Sequence, residues 1–511
     1  MPAPFPLLLW LGSVISTRNN VLANFFGAGW LALMSLAFIP FYIKLMGVEA
    51  YGIIGIFISL QAVFAVLDLG LSQSLGREMA RLSVLPDGQV QMANTARTLE
   101  VVYCSVALFV GLLVALLSHY LAFYWLNPEG ISRESLRTAL CVMAFVVALR
   151  WPLNLYTGGM NGLQRQVSLN IILIVFSTLQ SIGALLVLWL LSPTVHAFLA
   201  WQGFIALVQL LVFRTLFWRL LSYKSPKFSM DVLRGVWDFA FGMTGIALLA
   251  TLLTQIDKIL LSKMLDLKAF GYYVFASAVA AVVFRFVTPV FTAYLPRFTQ
   301  LVSLEDEPAL VEEYHYASQI VALVVIPVTC VAAMFSKEIL LVWTSDLQLV
   351  DNAWLLVSVL AIGNAINGLM NIPYALQLAH GWTRFAMYIN AVAVFILGPM
   401  IYFACLRWGS VGAASVWIAL NSSYALIGIQ IMHKKFLIGE KWRWYRESLL
   451  LPAVTGWAVV LLLGKLLIFS QADRFLNVGL LSFVSLICLC SVAVVLPKVR
   501  KAVVMFVRSR V

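Results

Sequence analysis

The sequence predicts an all-α polytopic membrane protein, and three observations lead to that prediction. Of the 511 residues, 62% are hydrophobic and 11% are charged, whereas a soluble globular protein is roughly 25% charged. Apolar runs long enough to cross a bilayer follow one another along the whole chain. No connection between these runs is long enough to form a soluble domain. Lipid must therefore solvate most of the protein surface.

A sliding window of roughly 19 residues divides the chain into about fourteen candidate transmembrane helices. These lie near 22–43, 51–70, 99–121, 138–158, 168–191, 195–217, 236–261, 271–296, 317–335, 352–376, 385–406, 411–432, 449–469 and 476–496. Residues 1–20 are apolar but have no positive residue before Arg18 and no small-residue cleavage site. They are therefore expected to form a cytoplasmic or interfacial segment rather than a signal peptide.

An internal repeat predicts how the helices are grouped. Residues 44–52, KLMGVEAYG, closely parallel residues 263–271, KMLDLKAFG, and six predicted spans separate the two copies. Both copies therefore have the same orientation, which predicts two parallel six-helix lobes with the transport site where the lobes meet. The predicted divisions are an N-lobe at 21–218, a cytoplasmic linker at 219–235, a C-lobe at 236–432, two extra helices at 449–496 and a basic cytoplasmic tail at 497–511.

The loops predict the orientation in the membrane. If the N-terminus is cytoplasmic, about 22 Lys and Arg residues lie inside and about 9 lie outside. The sequence therefore predicts that both termini are cytoplasmic. The formal net charge of +12 lies mainly in these short loops, so it is read as a topology signal and not as a nucleic-acid surface.

Two arginines lie deep inside apolar spans. At about 1.5 Å per residue, Arg150 is roughly 18 Å and Arg285 roughly 21 Å from the outer end of its predicted helix. Such charges normally face a bundle interior or a wet cavity, and a guanidinium binds phosphate in bidentate fashion. We predict a cationic cavity that binds a polyanion. The alternatives are pairing with backbone carbonyls or with an acid on another helix, or an earlier end to the span at 138–158.

Four further charged residues are candidates for a role in transport. Lys258 either adds to the cationic cavity or extends to the outer surface, and the adjacent Asp257 is a candidate for coupling-ion or gate duty. Asp68 is either a gate or inter-lobe latch or a carboxylate that caps a loop. Arg77 follows Asp68 towards the cytoplasmic face and is a second gate candidate.

Motifs for catalysis are absent from the sequence, which has no P-loop, Gly-rich dinucleotide turn, H-E-x-x-H or nucleophile elbow. The six cysteines lie inside apolar spans without C-x-x-C spacing. No enzymatic activity, metal or cofactor is therefore expected.

The quoted motifs resemble a known family. Residues 24–82, with LMGVEAYGIIGIF and VLDLGLSQSLGREMARL, resemble the opening of bacterial polysaccharide transporters of the O-antigen flippase type. The later DKILLSKMLDLKAFGYYVFASAVA is similar to the same family's entry into its second lobe. The resemblance implies the MATE-like fold of the multidrug/oligosaccharidyl-lipid/polysaccharide exporter superfamily. It also implies a cationic lumen, which falls here on Arg150 and Arg285, with Lys258 as a further contributor.

The predicted function is that of a flippase in the cell inner membrane. The resemblance implies that it moves an undecaprenyl-diphosphate-linked oligosaccharide from the cytoplasmic to the outer leaflet, and we expect it to do so by alternating access. Expected partners are that substrate, membrane lipids, a polysaccharide polymerase and a chain-length regulator, with no nucleic acid. The alternatives are a multidrug/cation antiporter, which would prefer embedded carboxylates, and a membrane-embedded polysaccharide polymerase or ligase, which would need a large outer loop.

Overall fold

The computed structural model describes residues 17–68, 70–83, 85, 88–221, 225–469 and 473–501, with side chains described outside 17–25, 235–247, 250, 383, 384 and 386. The predicted interfacial segment at 1–20 lies mostly outside the described residues. Most of the predicted basic tail at 497–511 and part of the linker at 219–235 lie outside them as well. The chain forms two compact units, the first ending at Gly271 and the second beginning at Tyr272.

In the described part of the first unit there are ten helices, and an eleventh contains the division between the units. They are α1 (Thr17–Ala37), α2 (Ile39–Met46), α3 (Val48–Ala65), α4 (Leu71–Leu82), α5 (Gly88–Tyr120), α6 (Arg133–Arg150), α7 (Leu153–Gly162), α8 (Gln166–Leu190), α9 (Val195–Leu221), α10 (Met230–Met264) and α11 (Leu267–Ala280). A 3₁₀ turn, Val66–Asp68, follows α3, and a π-helical turn, Leu121–Trp125, ends α5.

The second unit continues from α11 through a 3₁₀ turn, Ala281–Val283. Its further helices are α12 (Phe284–Ser303), α13 (Glu307–Met334), α14 (Ser336–Thr344), α15 (Leu347–Leu369), α16 (Asn371–Ala379), α17 (Thr383–Ser423), α18 (Ile429–Phe436), α19 (Lys441–Trp444), α20 (Leu451–Leu466) and α21 (Arg474–Val495). The π-helical turns Tyr424–Gly428 and Tyr445–Leu450 join α17 to α18 and α19 to α20.

The all-α membrane fold is confirmed. Among the described residues there is no β-strand, and twelve helical segments are long and apolar enough to cross a membrane. One of them, Met387–Phe436, has 50 residues and is interrupted at Gly409, whose φ of 61° and ψ of −150° are not helical. The predicted spans at 385–406 and 411–432 lie on either side of that break. Residues 235–247 and 250 of α10 lie outside the described side chains, so the count of fourteen stays a prediction.

The two copies of the repeat form helix–turn–helix corners that are built differently. In the first copy, Gly47 ends α2 with a φ of 87°, and its N–H donates to the Ile43 carbonyl. In the second copy, Asp266 occupies the corresponding position, and its carboxylate accepts a 2.7 Å hydrogen bond from the Ala269 N–H of α11. In the first copy, Gly47 adopts the positive φ that the turn requires. In the second copy, the Asp266 side chain caps the start of α11.

The same two corners are in reciprocal contact. A Cβ at Gly52 would lie 2.5 Å from the Leu267 carbonyl oxygen, and a Cβ at Gly271 would collide with the carbonyl oxygen of Val48. Gly52 corresponds to Gly271 in the repeat, and Val48 corresponds to Leu267. Small residues let helix backbones approach closely in membrane proteins. Each copy of the motif therefore contributes one glycine to the same close backbone contact.

A loop between α5 and α6 forms hydrogen bonds with both corners. The Glu49 carboxylate accepts hydrogen bonds from the backbone N–H groups of Glu129 (2.8 Å) and Gly130 (2.9 Å). Asn127 of the same loop donates from its side chain to the Lys263 carbonyl at 2.9 Å, and its own carbonyl accepts from the Leu267 N–H at 3.0 Å. One loop thus binds residues from both copies of the repeat.

In the second unit, the two helices predicted to lie outside the repeat belong to the main core. A Cβ at Gly456 of α20 would meet Cys330 Sγ at 3.0 Å and Ile326 Cγ2 at 3.1 Å, both on α13. Val484 and Cys488 of α21 are fully buried in the same apolar cluster. These helices therefore complete the core of this unit.

A polar network in the second unit includes His315, Glu440 and Arg443. The buried His315 Nε2 donates to the Glu440 carboxylate at 2.7 Å, and Arg443 lies 3.3 Å from the same oxygen. Burial raises the pKa of the Glu440 carboxyl, but the hydrogen bonds from His315 and Arg443 outweigh it and hold the pKa below its usual value. The network joins α13 to the segment that leads into α19.

Candidate functional site

Arg150 lies inside the first unit, at the end of α6. Its guanidinium donates to the side-chain oxygens of Gln61 on α3, at 3.3 Å, and of Gln202 on α9. The guanidinium carbon also lies 5.4 Å from the ring centre of Phe57. Nε is buried and has no hydrogen-bond partner among the described residues. The contacts come from neutral amides and a ring, so no acid in the described part of the chain neutralises this cation.

Asp68 is connected to the Arg150 region through two aromatic residues. Its carboxylate accepts a 2.7 Å hydrogen bond from the Ser72 hydroxyl and another from the Tyr103 hydroxyl. The Tyr103 ring lies 4.5 Å, centre to centre, from Trp151, whose indole N–H donates to the Phe64 carbonyl at 3.1 Å. The carboxylate thus joins the end of α3 to α4 and α5. Both partners belong to the predicted N-lobe, so these contacts match the loop-capping interpretation of Asp68, and the gate or inter-lobe latch stays a prediction.

The other predicted residues of the first unit lie on α4 and α10. Arg77 is exposed on α4. Asp257 and Lys258 are half-buried near the end of α10, and the Lys258 ammonium donates to the Thr254 carbonyl at 3.3 Å. This hydrogen bond is made within α10 itself. It therefore does not decide whether Lys258 adds to the cationic cavity or extends to the outer surface.

Arg285 belongs to the second unit, in the first turn of α12. Its side chain is exposed, and within the described ranges no hydrogen bond or ion pair involves it. The two arginines therefore have different surroundings. Arg150 is held by amides inside a helical bundle, whereas Arg285 presents its charge at a surface.

A polar groove lies between α4 and α7, next to Asp68. The groove has a volume of about 420 Å³. Its walls carry the polar side chains of Asp68, Ser72, Gln73, Asn154, Thr157 and Asn161, together with Ala65 and the glycines Gly76, Gly158 and Gly162. The glycines bring the helices into backbone contact, because a Cβ at Gly158 would collide with the Ser72 carbonyl and one at Gly162 with the Gly76 carbonyl.

Sequence reasoning missed a buried carboxylate. Glu100 on α5 is 3% exposed and accepts hydrogen bonds from the Tyr156 hydroxyl (2.8 Å), Arg214 Nε (2.9 Å), the Trp218 indole (3.1 Å) and Arg97 (2.8 Å). The available signal was an acid at the start of the predicted span 99–121, three residues after Arg97, with Arg214 near the end of the predicted span 195–217. Those cations were counted only as topology signals.

Gln202 was missed as well, although it binds Arg150. It is one of two amides in the otherwise apolar stretch 197–213. A buried amide in an apolar helix needs a hydrogen-bond partner. That requirement could have pointed to Arg150, which had no carboxylate in its own span.

This arrangement of helices is found in known transporters. The structure entitled "Lipid II flippase MurJ, inward closed conformation" aligns with 92% of this chain and 98% of its own, with a TM-score of 0.66 and 12% identity. An inward-facing MATE multidrug resistance transporter aligns with 84% of this chain and 97% of its own, with a TM-score of 0.64 and 12% identity. The molecule is thus a multi-pass membrane protein with the MATE-like transporter fold.

The family follows from the sequence comparison. Residues 43–349, more than half of the chain, match the model of a family described as polysaccharide biosynthesis protein, and the chain belongs to that family. A Shigella flexneri protein named "Putative O-antigen transporter" is 21% identical over 409 residues, which cover 79% of this chain and 94% of that protein. The resemblance seen in the repeat motifs is confirmed.

Proposed function

We propose that this protein is a flippase for undecaprenyl-diphosphate-linked oligosaccharides. In this proposal it takes the substrate from the cytoplasmic leaflet of the inner membrane and delivers it to the outer leaflet by alternating access. Both termini are cytoplasmic, and the chain carries out no chemical step on its substrate. A polysaccharide polymerase and a chain-length regulator are its proposed partners.

The observation that carries the proposal is the environment of Arg150. A cation placed deep in an apolar bundle costs at least about 2.5 kcal/mol, and among the described residues only amide oxygens and a ring contact it. Amides orient the guanidinium without cancelling its charge. A diphosphate supplies the missing negative charge and can accept two N–H bonds from one guanidinium.

The remaining residues have supporting roles in the proposal. Arg285 and Lys258 add positive charge for the diphosphate, while Asp257, Asp68 and Arg77 act in ion coupling or in gating. A drug/cation antiporter has the same fold, but a cationic substrate would be repelled by Arg150. The family match and the Shigella relative support a glycan substrate.

Transport of lipid-linked oligosaccharide into reconstituted vesicles tests the role of Arg150. Arg150→Gln should lower the rate by about ten- to a hundredfold, because hydrogen bonds to charged groups contribute about 1.5–3 kcal/mol. Arg150→Lys should retain part of the rate, because lysine keeps the charge but loses the planar fork.

The matched control is Arg137→Gln, on the same helix α6 but at an exposed position beside Glu134. This variant should transport at the wild-type rate. Wild-type transport by Arg150→Gln, at normal protein levels, would remove Arg150 from the mechanism.

A further inference from the structure

We propose that the groove between α4 and α7 is a subsite for the sugar part of the substrate. The inference rests on the proposed function, because it assigns a place to one part of the same lipid-linked oligosaccharide. The groove volume of about 420 Å³ falls within the roughly 300–1,000 Å³ of small-molecule sites.

The first argument is the spacing of the polar side chains. Asn154, Thr157 and Asn161 recur at intervals of three and four residues along α7, so they form one stripe on one face of the helix. Ser72 and Gln73 face this stripe from α4. Polar groups that are exposed to hydrocarbon without partners are costly. The stripe therefore needs water or a ligand against it.

The second argument is that these side chains remain available. The carboxamides of Gln73, Asn154 and Asn161 form no side-chain hydrogen bond within the described part of the chain. In contrast, both Asp68 oxygens already accept hydroxyl hydrogen bonds, from Ser72 and Tyr103. Three carboxamides thus face a cavity with their donors and acceptors unused.

The third argument is chemical complementarity. A carboxamide offers both donors and an acceptor, which suits sugar hydroxyls because each hydroxyl also donates and accepts. Among the described residues that line the groove, Asp68 is the only charged one, and its carboxylate repels phosphate. A hard cation would require several oxygen ligands and usually more than one carboxylate. A neutral polyhydroxyl ligand therefore fits the groove better than an anion or a metal ion does.

The fourth argument is the position of the groove beside Arg150. Asn154 follows Arg150 by four residues along the α6–α7 path, which is about 6 Å at helical rise. On α3, Gln61, which accepts a hydrogen bond from the Arg150 guanidinium, precedes Ala65 of the groove lining by four residues as well, so the lining begins about one helical turn from Arg150 and from its partner Gln61. A diphosphate at Arg150 would place the first sugars at the groove.

The test compares two ligands on purified full-length protein in lipid nanodiscs. The ligands are undecaprenyl-diphosphate-linked oligosaccharide and undecaprenyl diphosphate without sugar. Asn161→Leu and Gln73→Leu remove one carboxamide from each wall of the groove. Each should weaken binding of the sugar-bearing lipid about three- to tenfold, as expected for one net hydrogen bond. Binding of undecaprenyl diphosphate should stay unchanged.

The matched control is Gln91→Leu, an exposed carboxamide on α5 outside the groove, which should bind both lipids normally. Equal loss for both lipids, or no loss for the sugar-bearing lipid in either groove variant, would overturn the sugar subsite and leave the flippase proposal standing. Failure of the wild-type protein to bind either lipid would instead contradict the proposed function. Because the two variants lie on different helices, misfolding of one leaves the other as the test.

Discussion

Two buried charges of the first unit have opposite surroundings. Glu100 accepts four hydrogen bonds, two of them from arginines whose side chains are 42% and 52% exposed. Arg150 has only neutral partners among the described residues. A fully satisfied ionic group mainly fixes local structure, whereas a cation without an acid retains its attraction for an anion. Glu100 is thus assigned to structure and Arg150 to binding.

This contrast gives a prediction for Glu100. Glu100→Gln should lower the free energy of unfolding by about 1.5–3 kcal/mol, because it weakens charged hydrogen bonds to partners that stay in place. Thermal unfolding in detergent measures the effect. Glu134→Gln is the control, since Glu134 is 69% exposed and lies 3.5 Å from Arg137, and such surface pairs contribute little. Equal stability of Glu100→Gln and wild type would show that the network is dispensable.

At the scale of single residues, the sequence identified charges better than it identified their partners. Arg150 stood out because it interrupts an apolar run, but Gln202 comes from a helix 52 positions further along the chain. Such a contact depends on how helices pack, which hydropathy does not encode. Arg285 has the same hydropathy signal as Arg150, yet its side chain is exposed. Depth along a helix does not determine which face of the helix a residue occupies.

At the scale of helices, the repeated corner is one place where helix backbones approach closely. Gly52→Ala should destabilise the protein measurably, because the new methyl group would lie 2.5 Å from the Leu267 carbonyl and overpacking typically costs about 1–3 kcal/mol. Gly29→Ala on α1 is the matched control, since a Cβ there meets nothing within 4 Å.

The measurement is the midpoint of thermal unfolding of the two variants in detergent. Gly29→Ala should match or slightly exceed the wild type, because alanine is the better helix former. A Gly52→Ala protein as stable as Gly29→Ala would mean that the contact between the two corners adjusts without cost.

Helices α4 and α7 show which elements the sequence predicts poorly. A hydropathy window passes over α4 because the helix is short and polar, although Leu71, Leu75, Met79 and Leu82 recur at helical spacing and are buried. Helix α7 was merged with α6 into one predicted span at 138–158. The long apolar helices were predicted well because composition alone identifies them. The groove was missed because it lies between two elements that composition does not separate.

At the scale of the whole molecule, orientation follows from the distribution of charge. We predict that alkaline phosphatase fused after residue 501 is inactive and that a fusion after Lys268 is active. The enzyme folds only outside the cytoplasm, and the Lys and Arg bias places these two positions on opposite sides. Phosphatase activity in whole cells, corrected for the amount of fusion protein, measures both.

Activity in both fusions, or in neither, would contradict the predicted orientation or the number of spans between these points. A green fluorescent protein fused after residue 501 is the complementary control, and it should fluoresce because it folds in the cytoplasm. The fusions after Lys268 and after residue 501 together decide whether the number of crossings between these two positions is odd.

The contact between the two corners has the form of a homodimer interface. Gly52 approaches Leu267 as Gly271 approaches Val48, so position i of one copy meets position j of the other, and j meets i. Dimers related by a two-fold axis associate in this way. Equivalent positions of one chain thus meet as the identical surfaces of two subunits do.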